Sequence, residues 1–277
     1  MPTPSDTLWR WLPTRRLQAL RRARGLTNVL IACFPKSGST FISDRLAAID
    51  GCDRAVFVPV GERREQEIEA ASVKRELRAH PQSHLVGQLH VRLNVNTAAV
   101  CDRFGIRCVV LTRDLMDCLV SICDHWDRES CVGPFGYWTP DLISDMERSG
   151  VSRLHAVTLT AAPWYVSFYL SWLNWRDEWT AKEPPLFLTY EEFFTDPQAG
   201  LRDLASGLGI EVTAARLEAA LAVDRSSRFN RGVSGRGRDA FLRDRRAYAA
   251  LVDLLSLYPS IDFAPIFAPL SPPADRA

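Results

Sequence analysis

Residues 29–42 have the sequence VLIACFPKSGSTFI, and this stretch decides the fold. It opens with a short apolar run, which predicts a buried strand. A loop of Pro, Lys, Ser, Gly, Ser and Thr follows, and the mixed segment Phe41–Ile49 predicts a helix. A strand, a small-residue loop and a helix aim backbone N–H groups at an anion, and Lys36 adds a cation. The stretch therefore predicts an anion-binding loop, although an ordinary strand-to-helix turn has the same outline.

Strands alternate with helices along the rest of the chain. This alternation predicts an α/β fold of three layers, with a central, mainly parallel sheet like that of P-loop NTPases. The predicted strands are Val29–Cys33, His84–Gln88, Cys108–Leu111 and Leu186–Thr189. The predicted helices are Phe41–Ile49, Arg63–Ala79, Thr97–Arg103, Met116–Trp126, Trp164–Thr180 and Pro197–Gly207. The aromatic and Gly-rich segment Cys131–Pro140 is expected to be a loop.

Composition indicates one globular domain. The chain has 277 residues, of which 47% are hydrophobic and 24% charged, which is enough for one large core. We expect a basic segment at 1–26 packed on a domain at 27–268, with a disordered Pro-rich tail at 269–277. The net charge of +1 gives no general attraction to nucleic acid.

Cysteine usage indicates a reducing compartment. The seven cysteines are odd in number and form no CxxC pair, so we expect free thiols in a cytoplasmic protein. Cys118, Cys123, His125 and Cys131 are near one another in sequence but lack any usual ligand spacing. No metal site is therefore expected.

The N-terminal segment is rich in arginine and poor in acid. Its six arginines are interleaved with Leu and Trp, and Asp6 is its one acidic residue. We expect a helix that lies against the domain with its arginines in solvent. Peripheral contact with a membrane surface and a targeting presequence are the alternatives.

A second stretch, residues 154–175, carries no Asp, Glu, Lys or Arg and is long enough to span a bilayer. Ser, Thr, His and Asn dilute its hydrophobicity. We therefore expect a buried helix that starts near Pro163.

The loop at Lys36 is not a Walker A loop, because that motif places a Lys directly after its second Gly. Pro-Lys-Ser-Gly-Ser-Thr-Phe instead resembles the 5′-phosphosulfate loop of the sulfotransferases that use 3′-phosphoadenosine 5′-phosphosulfate (PAPS). That family usually has Pro-Lys-Ser-Gly-Thr-Thr-Trp, so Ser39 keeps the hydroxyl and Phe41 keeps the aromatic face. The resemblance implies a catalytic and cofactor-binding role for Lys36, and cofactor binding by Ser37, Gly38, Ser39, Thr40 and Phe41.

Three further segments resemble motifs of the same family, in the same order. Residues 113–121, RDLMDCLVS, resemble the 3′-phosphate motif, which makes Arg113 and Ser121 cofactor ligands and lets Ser121 hold Lys36. Residues 186–197, LFLTYEEFFTDP, place Tyr190 near the adenine. Residues 229–235, FNRGVSG, resemble the Arg-Lys-Gly loop, with Arg231 and Gly232 as ligands.

The residue that deprotonates the acceptor is assigned to His90. The segment at 85–91, LVGQLHV, is expected to be a strand ending in His90, and it resembles the family's Lys-x-His segment. A His can take a proton near neutral pH. Gln88 replaces the Lys of that segment and removes a charge. A structural role for His90 is the alternative, and His125 and Glu65 are rival bases.

The resemblance as a whole implies in-line transfer of a sulfuryl group from PAPS to a hydroxyl or amine. The acceptor would be a small molecule, a lipid or a carbohydrate, and the products would include adenosine 3′,5′-bisphosphate (PAP), without a metal. The alternatives are a P-loop-type kinase and a non-catalytic nucleotide- or membrane-binding protein. Residues 238–243 lack the Thr-Val of the family's dimer motif, so we expect a monomer or a non-standard dimer.

Overall fold

The sheet is parallel throughout and has five strands. A computed structural model of the chain describes residues 12–59, 67–129, 140–175, 183–223 and 235–270. The strands lie in the order β2-β3-β1-β4-β5. They are β1 Asn28–Cys33, β2 Cys52–Ala55, β3 His84–Leu89, β4 Ile106–Thr112 and β5 Leu186–Thr189. The chain order reverses at β1, which is where open parallel sheets place their ligands.

Helices connect the strands and cover the sheet. The helices between β1 and β4 are α2 Ser39–Ala47, α3 Ala70–Ala79 and α4 Val95–Phe104, and α1 Thr14–Ala23 precedes β1. After β4 come α5 Leu115–Glu129, α6 Pro140–Arg148 and α7 Arg153–Leu173. After β5 come α8 Tyr190–Thr195, α9 Pro197–Gly207, α10 Ala214–Ala222, α11 Arg236–Arg243 and α12 Arg245–Ser256.

The two faces of the sheet bury two separate cores. Side chains alternate along a strand, so Leu30 and Ala32 enter one core while Val29 and Ile31 enter the other. The larger core lies against α1, α3, α4, α5, α7 and α12, and the smaller one against α2, α9 and α10. Helices on both faces explain why β1 is fully buried and, after Asn28, entirely apolar. The predicted three-layer α/β class is confirmed.

Two elements differ from the sequence-based prediction: the edge strand β2 and the helix α7. The strand β2 was missed because its sequence, CDRA, has two charged residues and no apolar run. The helix at 164–180 was predicted to start near Pro163, and this is wrong. It begins at Arg153, where the Ser152 side chain accepts the His155 N–H, and runs through Pro163. Pro163 cannot donate a helical hydrogen bond to the carbonyl four residues before it, at Leu159, and both residues lie on the exposed side of α7.

Other helix boundaries were also shifted or unassigned. The helix predicted from Arg63 starts at Ala70 instead, and residues 67–69 are not helical. The helices α6, α8, α10, α11 and α12 were not predicted. None of the helices in the described ranges is long and apolar enough to cross a membrane, the charge-free stretch in α7 included.

The described part of the basic N-terminal segment is attached to the amino ends of the strands. Leu17 of α1 is buried in the larger core. Arg21 is 2% exposed, and its guanidinium donates to Asn28 Oδ1, His80 O and Ser83 O at 2.7–2.8 Å. Burial lowers the pKa of Arg21 to about 10, so the side chain stays charged. This one residue ties α1 to the starts of β1 and β3.

The other end of the chain is also partly packed. Leu270, which we assigned to the tail, is buried, and its N–H donates to the Tyr248 hydroxyl at 3.0 Å. Residues 271–277 lie outside the described residues.

Candidate active site

Four segments with predicted site residues meet at the carboxyl edge of the sheet. The loop after β1 holds Lys36, and His90, Arg113 and Tyr190 follow β3, β4 and β5. The strand register sets which of them are neighbours. Ala32 pairs with Leu89, so the next residues, Cys33 and His90, are level. Thr112 pairs with Thr189, so Arg113 and Tyr190 are level.

The loop between β1 and α2, residues 34–38, is called the β1 loop below. It closes on itself through Ser37, whose hydroxyl donates to Phe34 O at 2.7 Å. Gly38 has φ +75°, and a Cβ there would lie 2.8 Å from the Tyr190 ring. Only Gly allows both this conformation and this approach. The α2 amino terminus starts directly after it at Ser39 and supplies the N–H groups that suit an anion.

Lys36 has a left-handed backbone with φ +66°, the one positive φ at a non-Gly residue in the described ranges. The carbonyl groups on both sides of its Cα are hydrogen-bonded. Pro35 O accepts the Tyr165 hydroxyl at 2.9 Å, and Lys36 O accepts Arg113 Nη1 at 3.1 Å. The side chain of Lys36 is half-buried.

Arg113 connects the ends of β1, β4 and β5. Besides Lys36 O, its guanidinium lies 4.0 Å from the centre of the Tyr190 ring and 3.5 Å from the Asp117 carboxylate. Stacking and ion pairing hold the guanidinium in one orientation, and its planar fork of N–H donors suits an anion such as a phosphate. Tyr190 is only 2% exposed, so it supports Arg113 and Gly38 with its ring.

Asp117 has a role that the sequence analysis missed. Its two carboxylate oxygens accept the N–H groups of Gly235 at 2.8 Å and Gly237 at 2.6 Å. A Cβ on Gly237 would lie 2.3 Å from the Met116 carbonyl carbon, so the start of α11 must be Gly here. Asp117 therefore ties α11 to the helix that follows Arg113. The sequence signal that could have indicated this role is the position of Asp117 in the motif at 113–121.

Two more carboxyl groups near Arg113 are hard to ionise. Burial raises the pKa of Asp114 to about 6, with smaller contributions from the charges of Asp117 and Glu191. Burial also raises the pKa of Glu191, whose Oε1 accepts the Asp114 N–H at 3.2 Å. These groups share one arginine in a site with little water, and each additional negative charge there is costly.

His90 lies against β1 with one ring nitrogen already bonded. Its Nδ1 is 2.9 Å from Cys33 O and 3.4 Å from Cys33 Sγ. A carbonyl oxygen only accepts, so Nδ1 carries the proton and Nε2 has the lone pair. The residue is 7% exposed. This tautomer is the one that a base acting through Nε2 requires.

Gln88 forms a hydrogen-bonded cluster between β3 and α2. Its amide donates to Ser39 Oγ at 2.5 Å, and its oxygen accepts Ser43 Oγ at 3.0 Å. Arg54 Nη2 reaches the same oxygen at 3.4 Å. Ser39 Oγ accepts the bond from the Gln88 amide, and cofactor binding by the Ser39 hydroxyl stays a prediction. The residue that replaces the family's Lys is thus part of the support of α2.

Phe41 lies on the other side of α2, next to aromatic rings of α8. Its ring centre is 5.2 Å from that of Phe194, and the Arg45 guanidinium carbon lies 4.7 Å above it. Phe194 in turn packs on Tyr190, with 4.2 Å between the ring centres. These aromatic side chains form one apolar surface beside the β1 loop.

The remaining predicted residues divide into two sets. Thr40 is half-buried in the first turn of α2, and Ser121 is buried on α5, one turn beyond Asp117 and on the same helix face. His125 follows one turn later on α5. Arg231, Gly232, Glu65 and the predicted loop at 131–139 lie outside the described residues. No group of three or more His, Cys, Asp and Glu that could hold a metal ion occurs in the described part of the chain.

Comparison with solved structures finds several that are similar to this chain at low sequence identity. Mouse sulfotransferase SULT7A1, crystallised with PAP, has a TM-score of 0.53 and 18% identity, over 83% of this chain and 85% of that one. A sulfotransferase from Alicyclobacillus acidocaldarius has a TM-score of 0.45 and 15% identity, over 83% and 96%. Retinol dehydratase with androsterone and PAP has a TM-score of 0.47 and 16% identity, over 91% and 88%. A search of curated proteins finds no significant match.

The sequence itself matches a family model described as the sulfotransferase domain, over residues 26–230. The matched range begins two residues before β1 and includes the motifs that hold Lys36, His90, Arg113 and Tyr190. It ends at Asn230, so it contains only the first two residues of the segment at 229–235 and neither Arg231 nor Gly232. This chain belongs to the sulfotransferase domain family.

Proposed function

We propose that this protein transfers a sulfuryl group from PAPS to a hydroxyl or amine of a small-molecule, lipid or carbohydrate acceptor. The observation that carries the proposal is the meeting of Lys36, His90 and Arg113 at one edge of the sheet, within the range matched by the family. The mouse structure with PAP has the same fold and supports the choice of donor.

The donor would bind along the β1 loop and α2. The 5′-phosphosulfate would accept hydrogen bonds from the N–H groups of the α2 amino terminus and from the hydroxyls of Ser39 and Thr40, close to Lys36. The Ser37 hydroxyl, which donates to Phe34 O, would instead shape the β1 loop around the donor. The 3′-phosphate would contact the Arg113 guanidinium, together with Ser121, Arg231 and Gly232. The adenine would lie against the rings of Phe41 and Phe194, with Tyr190 packed behind Phe194, since purine rings stack on aromatic side chains.

The leaving group would be stabilised by Lys36. As the bond between sulfur and the bridging oxygen breaks, negative charge develops on the 5′-phosphate of PAP. An ammonium placed at that oxygen interacts more strongly with the transition state than with the ground state. Ser121 would hold Lys36 until the acceptor is in place.

The acceptor would be activated by His90. Its Nε2 has the lone pair because Nδ1 donates to Cys33 O. In the transfer step the acceptor oxygen forms a bond to sulfur, its proton moves to Nε2, and the bond from sulfur to the phosphate oxygen breaks. The proton is later lost to water, which restores the histidine.

Binding and transfer can be tested separately. Calorimetry with PAP in the presence of EDTA should show binding, and a screen of acceptors with labelled PAPS should show label transfer. ATP with Mg²⁺ is the matched competitor. Stabilisation by ATP with Mg²⁺ and not by PAP would replace the proposal with the kinase alternative.

We further propose that α1 allows peripheral contact with anionic membranes. Its solvent side carries Arg15, Arg16, Arg22 and Arg24, and its sequence TRRLQALRRA has no acidic residue. Each arginine near an anionic surface contributes about 1 kcal/mol. Sedimentation with phosphatidylserine vesicles should show binding that salt removes and that Arg15→Glu with Arg16→Glu abolishes. Equal binding to neutral vesicles would contradict it.

We propose a monomer, or a dimer unlike the family's common one. Residues 238–243 form most of α11, where Phe241 is buried and Leu242 is 36% exposed. Light scattering should give a mass that Leu242→Arg leaves unchanged. A dimer that dissociates in this variant would contradict the proposal.

We also propose that the protein works in the reducing cytoplasm. The Sγ atoms of Cys101 and Cys108 are buried 3.6 Å apart as thiols, and an oxidising compartment would favour a bridge between them. Mass spectrometry of alkylated protein from cells should show both thiols free.

A further inference from the structure

The backbone of Lys36 is held in a conformation that this residue does not adopt by preference. A side chain in the left-handed region has its Cβ close to the carbonyl oxygen, which costs free energy. Such a conformation persists where the surroundings determine it, and it is concentrated at functional sites. The β1 loop therefore needs contacts that fix both dihedral angles of Lys36, whose φ is +66°.

The two hydrogen bonds around Lys36 supply these contacts. The angle φ relates the peptide plane of Pro35 to Cα, and ψ relates Cα to the peptide plane of Lys36. Tyr165 holds the first plane through Pro35 O at 2.9 Å, and Arg113 holds the second through Lys36 O at 3.1 Å. With both planes fixed, the direction in which the Lys36 side chain leaves the loop is fixed as well.

Tyr165 is itself placed firmly. It is completely buried on α7, and its ring packs edge-on against Phe34 with 4.8 Å between ring centres. The same helix supports the β3 end of the site two turns further on, where Trp172 Nε1 donates to Val91 O at 3.0 Å. Val91 directly follows His90, so α7 contacts both the loop of the proposed leaving-group cation and the segment of the proposed base.

We propose that Tyr165 is a positioning residue for sulfuryl transfer, which holds Lys36 in its left-handed conformation through Pro35 O. The inference rests on the proposed function, because that function gives Lys36 its task at the leaving oxygen. Arg113 would contact the cofactor, whereas Tyr165 acts only through the backbone of the β1 loop. Its loss should therefore change turnover and leave donor affinity nearly intact.

The experiment compares two hydroxyl deletions on one helix. Tyr165→Phe removes the hydrogen bond to Pro35 O. Tyr169→Phe, one turn later, removes an equivalent bond to Asp262 O at 3.1 Å, away from the β1 loop. We expect kcat to fall about tenfold in Tyr165→Phe, with the KM for PAPS and the Kd for PAP within about twofold of wild type. Tyr169→Phe should keep wild-type kcat.

A double variant separates positioning from general damage. If Tyr165 acts through Lys36, then Tyr165→Phe should cause no further loss of kcat in a Lys36→Ala background. A tenfold loss in both backgrounds, or equal losses in Tyr165→Phe and Tyr169→Phe, would overturn the inference. Wild-type protein that neither binds PAP nor transfers label would instead overturn the proposed function.

The premise can also be tested without a change at Tyr165, should Tyr165→Phe not fold. Gly adopts positive φ readily and Ala does not. Lys36→Gly should therefore melt at a higher temperature than Lys36→Ala, although Gly usually destabilises relative to Ala. A lower or equal melting temperature would show that position 36 is not held in the left-handed region, and the inference would fail.

Discussion

The two halves of the site differ in how closely they follow the family pattern. The donor half consists of the β1 loop, Arg113 and Tyr190, and its residues contact one another across the ends of β1, β4 and β5. The acceptor half consists of Gln88 and His90 at the end of β3. There, the residue that replaces the family's Lys bonds to Ser39 and Ser43 of α2.

This difference indicates which half of the site keeps the family's sequence pattern and which half departs from it. In the donor half, Arg113 and Tyr190 each have several partners, so a change at either one disturbs the others. In the acceptor half, the neutral amide of Gln88 stands where the family has a cation. We infer that donor binding is the fixed part of this protein and that acceptor chemistry is where it has diverged.

The largest expected effect lies in the donor half. Lys36→Ala should lower kcat by about 10²–10³-fold, the effect of losing one group that stabilises developing charge, while the Kd for PAP changes little. Steady-state kinetics and calorimetry would measure the two quantities. Lys74→Ala on α3 is the control for loss of a lysine. A parallel loss of affinity would mean that Lys36 binds ground state and transition state equally.

The acceptor half should give the next largest effect. His90→Asn should reduce turnover by roughly 10²-fold, which is what a positioned base supplies, with PAP binding intact. His125→Asn and Glu65→Gln test the rival bases. Near-normal turnover in His90→Asn together with a loss in either rival would place the base elsewhere.

Arg113 should separate affinity from turnover within the donor half. Arg113→Ala removes a charged hydrogen bond to the 3′-phosphate and should weaken PAP binding by about 1.5–3 kcal/mol. Turnover at saturating donor should fall by a smaller factor than PAP affinity. Some loss is expected because Lys36 O loses its bond from Arg113. Calorimetry with PAP, with Arg202→Ala as the exposed control, measures the effect. Unchanged PAP affinity would remove Arg113 from the cofactor site.

Reversal of the family difference should cost stability. In Gln88→Lys, the Ser43 hydroxyl loses Gln88 Oε1 and keeps Thr40 O as its acceptor, while the new buried ammonium faces Arg54. The free energy of unfolding should therefore fall by about 1–3 kcal/mol. Urea denaturation would measure this loss. A variant as stable as wild type would show that this half tolerates the family residue, and the proposed divergence would need another cause.

The smallest effect concerns the carboxyl group beside Arg113. Burial raises the pKa of Asp114 from 3.8 to about 6, so the native state takes up a proton between these values before the unfolded chain does. The Asp114 contribution to stability is therefore unfavourable above pH 6 and is relieved as the pH falls toward 4. Asp114→Asn keeps the acceptor for the Asp117 N–H and should be more stable at pH 8 by about 2 kcal/mol.

The control for this effect is Asp203→Asn on α9, whose side chain is 73% exposed. Thermal or urea unfolding from pH 4 to 8 should show a smaller pH dependence in Asp114→Asn and an unchanged one in Asp203→Asn. The same curve for Asp114→Asn and wild type would mean that Asp114 is ionised normally.

Sequence patterns predicted the strands that are apolar and the motifs that follow them. Strands β1, β3, β4 and β5 were placed to within about two residues, because buried parallel strands are continuous apolar runs. The edge strand β2 has no such run and escaped. The predicted start of α7 lay ten residues too late because Pro163 was interpreted as the first residue of a helix. A Pro that begins a helix and an exposed Pro within a helix look alike in the local sequence.

Contacts distant in the chain were not predictable by the same means. The motifs identified Lys36 and Arg113, and the strand register brings them together. The hydroxyl of Tyr165 reaches Pro35 from 130 residues away, and Asp117 holds Gly237 across 120 residues. Such pairings depend on how whole layers pack, whereas a motif reports only local chain order.

The buried guanidinium of Arg21 has a consequence for protein engineering. The family match begins at residue 26, and a truncation designed from it would discard α1. The cut would expose the apolar surface that Leu17 covers, and would leave the carbonyls of His80 and Ser83 without their donor. A recombinant fragment therefore needs to begin before Thr14 and, by the packing of Leu270, to extend at least that far at its other terminus. The range that the family model matches is therefore shorter than the range that a stable fragment needs.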